Sequence, residues 1–253
     1  MVTLPFTYMP CFHAKTDAIA KDMSKRKKRK TPHIAADLSQ LQGRERARRE
    51  MIWGDHGFLR ARFSNLHRLS DEMWRSNQPS PRQIRAHQTE RGIKTVLNLR
   101  GRSTRGFYLL EEEACAELGI QLLDYQVFSR DTPTREAVMG TRALFAGMAY
   151  PALMHCKSGA DRAGLMSALY LLARKESSVT QARQQLALKY LHVKQGKTGM
   201  LDAFFDAAQE AGTITAQDFF RWIENEYDRV AVKAAYLKAH GRQVELDRLL
   251  GRE

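Results

Sequence analysis

Cys156 and Arg162 stand six positions apart in the run His155-Cys156-Lys157-Ser158-Gly159-Ala160-Asp161-Arg162-Ala163-Gly164, with one glycine between them. A cysteine attacks as its thiolate, and cationic surroundings or a helix N-terminus lower its pKa from about 8.5 to well below neutral. Arginine presents a planar fork that grips two oxygens of one oxyanion, which lysine cannot match. The two types at this spacing predict a nucleophilic sulfur, Cys156, held beside a group that carries negative oxygens. Lys157, Ser158, Gly159 and Ala160 would supply the loop that surrounds that group.

The neighbouring sequence says what must hold such a loop. Ala152-Leu153-Met154 follows Pro151 and reads as a short buried strand, and Leu165 to Leu172 reads as an apolar helix. The motif is then a strand-loop-helix junction, in which loop amides and the helix dipole converge on an anion. Upstream, strands are expected over Asn65–Leu69, over Met73–Pro79, which ends in a turn, over Ile93–Leu99 and over Ile120–Val127. Helices are expected over Pro81–Arg91, Tyr108–Leu118 and Thr134–Ala149. This alternation predicts an α/β fold with a mostly parallel central sheet of four to five strands flanked by helices. Arg100, Asp131 and Cys156 each follow a predicted strand, so one rim of the sheet would gather them.

His-Cys-x5-Arg resembles the signature of the cysteine-dependent protein-tyrosine and dual-specificity phosphatases, matched here by His155, Cys156 and Arg162. Trp74-Arg-Ser-Asn-Gln-Pro79 and Ile93-Lys-Thr-Val-Leu-Asn-Leu-Arg100 are similar to the segment before the catalytic loop in the atypical bacterial and plant-fungal members, so the resemblance covers roughly residues 64–175. It implies hydrolysis of a phosphomonoester through a phospho-cysteine, with no metal and no organic cofactor. The departing oxygen needs a proton, and a carboxylic acid within hydrogen-bond reach is the usual donor. Three aspartates compete. Asp131 occupies the loop where this class keeps its acid; Asp161 resembles the aspartate in the catalytic loop of myotubularin-like phosphatases; Asp124 is nearer the customary spacing but lies inside a predicted strand. They rank in that order. The class usually carries Ser or Thr after the arginine, and Ala163 here implies a slower second step, or that Ser158 or a water assists it. Lys157 also occurs in phosphoinositide-type members, so a phosphorylated lipid competes with a phosphorylated protein as substrate. A phosphate-binding module without turnover and an electrostatic polyanion binder stand as further readings.

The chain has 253 residues and a formal charge of +13. Between Lys21 and Arg49 there are eleven Lys or Arg against Asp22, Asp37 and Glu45, a net of +8, and the block Lys25–Lys30 is continuous. Such a tract suits an anionic membrane surface or a solvated tail; without aromatic interleaving it does not predict specific nucleic-acid binding. The three cysteines show no paired or metal-ligating spacing, which predicts a reducing compartment. No leader-like or membrane-length apolar run is present, so a cytoplasmic protein, peripheral to the membrane through its tail, is expected. The organisation expected is a basic extension over 1–48 with order beginning near Met51, a catalytic domain over 49–231, and a helical tail over 232–253 that serves a partner or a membrane surface. Extra C-terminal helices are expected over Thr180–Val193, with Leu186, Tyr190 and Val193 on one stripe, over Met200–Ala211, and after Thr215, where Phe220, Ile223, Tyr227 and Val230 align. Gly196-Lys197-Thr198-Gly199 lacks the upstream glycine and strand of a nucleotide-binding loop.

Overall fold

The computed structural model describes residues 35–60 and 62–249, with side chains described as far as Gly241. The basic tract Lys25–Lys30, within residues 1–34 of the expected extension, lies outside the described residues.

Five short strands form: β1 (His67–Arg68), β2 (Met73–Ser76), β3 (Thr95–Asn98), β4 (Gln121–Asp124) and β5 (Ala152–His155). They lie side by side in the order β1-β2-β5-β3-β4, with β1 antiparallel and the others parallel. The α/β fold expected from the sequence is the fold observed. β5 is central, and all four of its residues are buried, as a parallel strand covered on both faces requires. Its register sets Ser76, His155 and Asn98 in one row, with Asp124 beside Asn98. The chain therefore leaves β2, β3 and β5 at the same edge, and Asn77, Arg100 and Cys156 follow there.

The helices are α1 (Leu41–Arg49), continued by a π-helical turn to Gly54, then α2 (Gly57–Arg60), α3 (Pro81–Arg91), α4 (Gly106–Glu117), α5 (Arg135–Gly147), α6 (Asp161–Lys175), α7 (Val179–Arg183), α8 (Met200–Glu210), α9 (Ala216–Asn225) and α10 (Arg229–Leu249). α3 starts on a reciprocal cap between Ser80 and Gln83, with Pro81 in its first turn, and stops at Gly92, whose φ of 63° only glycine adopts cheaply. α6 follows β5 through the core and buries Ala163 to Tyr170 and Leu172 against Met154, Phe145, Phe204 and Phe205. A second cluster of Ile84, Ile93, Val96, Ala114 and Leu153 packs elsewhere against the sheet.

Four boundaries differ from the sequence reading. Order begins before Met51, because Ala47 of α1 is buried against Leu110 of α4. The helix expected over Thr180–Val193 ends at Arg183, since the Gln185 carbonyl accepts from Arg75 and His192 turns inward. Leu186 and Tyr190 are buried as expected, whereas Val193 is exposed. α9 ends at Asn225, so Tyr227 reaches the core from beyond the helix while Val230 faces solvent at the start of α10. Within the segment read as a tail, Val232 packs on the core and Tyr236 is buried, its hydroxyl donating to the Gly196 carbonyl. Among the described residues no helix is long and apolar enough to cross a membrane.

Candidate active site

The loop from Cys156 to Ala160 is held by its carbonyl oxygens. The Lys157 carbonyl accepts from the Gln78 amide at 3.3 Å, and the Ser158 carbonyl from the Asn65 side chain at 3.0 Å. Those of Gly159 and Ala160 both accept from Arg75 Nη2, at 2.7 and 2.9 Å. In a trans peptide the N–H points opposite to the C=O. Four carbonyls drawn outward thus turn the following amides toward the loop's interior, at the N-terminus of α6, where the dipole adds positive potential. Cys156 Sγ, in a residue only 2% exposed, accepts the Gly159 N–H at 3.2 Å. Gly159 has φ +74°, and a Cβ there would lie 2.8 Å from the Asn77 amide nitrogen, so the turn demands glycine. Arg162 is half-buried at the start of α6 and has no hydrogen bond or ion pair among the described residues. Its guanidinium is uncommitted.

Arg75 is the residue the sequence did not announce. It sits fully buried in β2, donates to the Gln185 carbonyl as well as to the loop, and stacks 4.2 Å from the Tyr190 ring centre. Burial lowers its pKa to about 10, against the pull of Cys156. A charge taken out of water needs partners, and here loop carbonyls supply most of them. Arg75 thus contributes to holding the loop open and adds positive potential behind the sulfur.

The structure distributes the three candidate acids differently. Asp131 binds Arg229 at 2.5 Å and Lys233 at 3.0 Å, both from α10, and accepts from the Thr132 amide. Asp124 accepts from Asn98 at 2.7 Å and from the Tyr108 hydroxyl at 2.7 Å. Asp161 stands on the loop itself, next to Arg162, and its Oδ1 lies 2.7 Å from His192 Nδ1. His192 Nε2 is in turn 2.7 Å from Asp202 of α8. Burial opposes a charge on His192, but its hydrogen bonds to Asp161 and Asp202 prevail and raise its pKa to about 9. A buried imidazolium between two carboxylates results.

Arg100 is also on this rim, bonded through both terminal nitrogens to Asp55 at 2.8 Å and to Gln78 Oε1 at 2.8 Å. Gln78 donates to Glu111 Oε2 at 2.9 Å. Glu111 Oε1 lies 2.7 Å from His155 Nε2, though off the hydrogen-bond axis. Lys157 Nζ reaches Asp55 at 3.6 Å, and Ser158 Oγ accepts from the Ala160 amide at 3.4 Å.

A family model described as "DSP-PTPase phosphatase fused to NAD+ Kinase" matches residues 64–203, which include all five strands and the whole Cys156 loop. The chain belongs to this phosphatase family. No curated protein matches its sequence. Among solved structures the phosphatase is similar to TpbA from P. aeruginosa, with 18% identity, 68% of this chain and 90% of that one covered, and a TM-score of 0.43. It is also similar to the core catalytic domain of the PP-IP phosphatase SIW14 from S. cerevisiae, with 18% identity, 69% and 92% covered, and a TM-score of 0.43.

Proposed function

We propose that this phosphatase hydrolyses phosphomonoesters of the protein-tyrosine or dual-specificity type through a phospho-cysteine, with Cys156 as nucleophile and Arg162 as oxyanion clamp. The observation that carries the reading is the loop in which the Lys157, Ser158, Gly159 and Ala160 carbonyls are all engaged, the Gly159 N–H is donated to Cys156 Sγ, and the Arg162 guanidinium, six positions on, is uncommitted. Cys156 Sγ attacks phosphorus in line with the departing oxygen, while the amides of the loop and Arg162 hold the equatorial oxygens. The scissile P–O electron pair leaves with that oxygen, which takes a proton from Asp161. Water then attacks the phospho-cysteine, Asp161 accepts the water's proton, and inorganic phosphate and the thiolate are released. Ala163 offers no hydroxyl to the departing sulfur; the Gly159 N–H is the donor that remains.

Asp161 is preferred to Asp131 for this role because of what each touches. Both oxygens of Asp131 are engaged by Arg229 and Lys233 of α10. Asp161 stands on the Cys156–Arg162 loop itself, and among the described residues only its Oδ1 is engaged, by His192, which leaves Oδ2 to carry the proton that the departing oxygen takes and the attacking water returns. The cationic rim of Arg100 and Lys157 supports a second reading of substrate, a phosphorylated lipid, alongside phosphoprotein.

Release of phosphate from an aryl phosphate tests the scheme. Cys156→Ser is expected to abolish it, Asp161→Asn to lower kcat by about 100-fold or more, and Asp131→Asn to leave it within about threefold. The opposite order for the two aspartates would move the acid to Asp131. Turnover surviving in Cys156→Ser would remove the cysteine mechanism altogether.

A further inference from the structure

Asp55 lies between the π-helical turn and α2, outside the segment that matches the phosphatase family. Three cations meet on its one carboxylate: Arg100 through both terminal nitrogens, Arg60 Nη2 at 2.7 Å and Lys157 Nζ at 3.6 Å. Three positive charges against one negative leave the cluster with an excess of +2. Arg60 and Arg100 side chains are only 10% and 11% exposed, so water screens that excess poorly. Arg60 Nε is buried with no partner. Burial lowers the Arg60 pKa; the charge of Asp55 opposes this and that of Arg100 adds to it. Lys157 belongs to the cluster and also follows Cys156 in the chain, so the cluster adjoins the catalytic loop.

We infer that Arg60, Arg100 and Lys157 form a second anion subsite beside the Cys156 loop, which takes a further phosphate group of a multiply phosphorylated molecule when Asp55 gives way. The inference rests on the phosphatase reading only in calling that molecule a substrate; the binding itself does not depend on turnover. One carboxylate is a monoanion held through two oxygens, whereas a phosphate brings up to two charges and three free oxygens to the same donors. Asp55 therefore acts as an internal stand-in that keeps the subsite filled until a second phosphate competes for the same donors.

Calorimetric titration of the full chain with inorganic phosphate and with tripolyphosphate reads this directly. The quantity of interest is the ratio of the two dissociation constants, which cancels changes confined to the catalytic loop. In Asp55→Asn the preference for tripolyphosphate is expected to rise about tenfold, the scale of 1.4 kcal/mol, and in Arg60→Gln and Lys157→Gln to fall by a similar factor. A ratio unchanged across the three variants overturns the subsite. Where Asp55→Asn fails to fold, the two cation variants alone decide. Loss of aryl phosphatase activity with the ratio shifts intact would sink the catalytic reading and leave the subsite standing. An inositol bisphosphate free in solution, set against phosphatidylcholine vesicles carrying the same headgroup on a lipid, separates the two sources of such a ligand. Preference for either supports the subsite; binding to neither overturns it.

Discussion

His192 links the catalytic loop to the C-terminal helices through one proton. Its pKa is raised to about 9 from 6.5, so the stability it contributes is fully present below about pH 6.5 and is lost as pH rises through about 9. On the scale of 1.36 kcal/mol per unit, that contribution is about 3 kcal/mol. Melting temperature measured at pH 6 and at pH 9.5 should therefore fall in the parent and change much less in His192→Asn. If the pH dependence is the same in both, His192 is not the group that titrates. Under the proposed mechanism the same substitution should lower kcat while leaving KM little changed, because it disturbs Asp161 and not Arg162. Cys156 and Arg162 were legible in the sequence since their spacing is fixed within one short motif. His192 was not, because its partner Asp161 is 31 residues away, and a histidine in an irregular segment carries no periodic signal.

β2 and the loop after β5 behave as one element once Arg75 is taken into account. Its partners Gln185 and Gly159 lie 110 and 84 residues along the chain, so nothing in the strand pattern of Met73–Ser76 could show that this arginine faces inward. The helix that opens after Ser178 ends at Arg183, so the Gln185 carbonyl lies beyond the helical ladder and accepts from Arg75. The sheet itself was readable, because β3, β4 and β5 lie in short, largely apolar runs that follow a glycine or proline. Replacing Arg75 by Met should leave several buried carbonyls without donors and cost about 3 kcal/mol or more, seen as a shift of the urea midpoint. Gly159→Ala should act differently, reducing phosphate binding by an order of magnitude or more with a smaller effect on folding, since it distorts the loop rather than the core. Equal stability losses in the two variants would contradict this division of labour.

At the scale of the molecule, cations border the Cys156 loop. Arg162 is uncommitted, Arg100 and Lys157 share one carboxylate, and the chain carries +13 overall. Steering by such a field acts on encounter rather than on chemistry, and salt screens it over about 8–10 Å. kcat/KM for a small phosphate dianion should fall several-fold between low and roughly 0.5 M salt, with kcat nearly constant. A flat salt profile would mean that the rim does not steer. The sequence allowed Arg100 and Lys157 to be placed on one rim, because each follows a predicted strand, and the Lys25–Lys30 tract to be read as a block. What it could not show is that Asp55 and Arg60, from outside the family match, join Arg100 and Lys157 in one cluster.

Cys115 sits in the cluster of Ile84 and Ile93, apart from the one that contains Cys156. Burial, with the Glu111 charge, pushes its pKa up to about 12. A thiol so placed neither reacts with peroxide at neutral pH nor reaches a sulfenic acid formed on Cys156. Oxidative shutdown of the enzyme should thus leave Cys115 fully reduced on peptide mass mapping, and rescue would depend on a thiol other than that one.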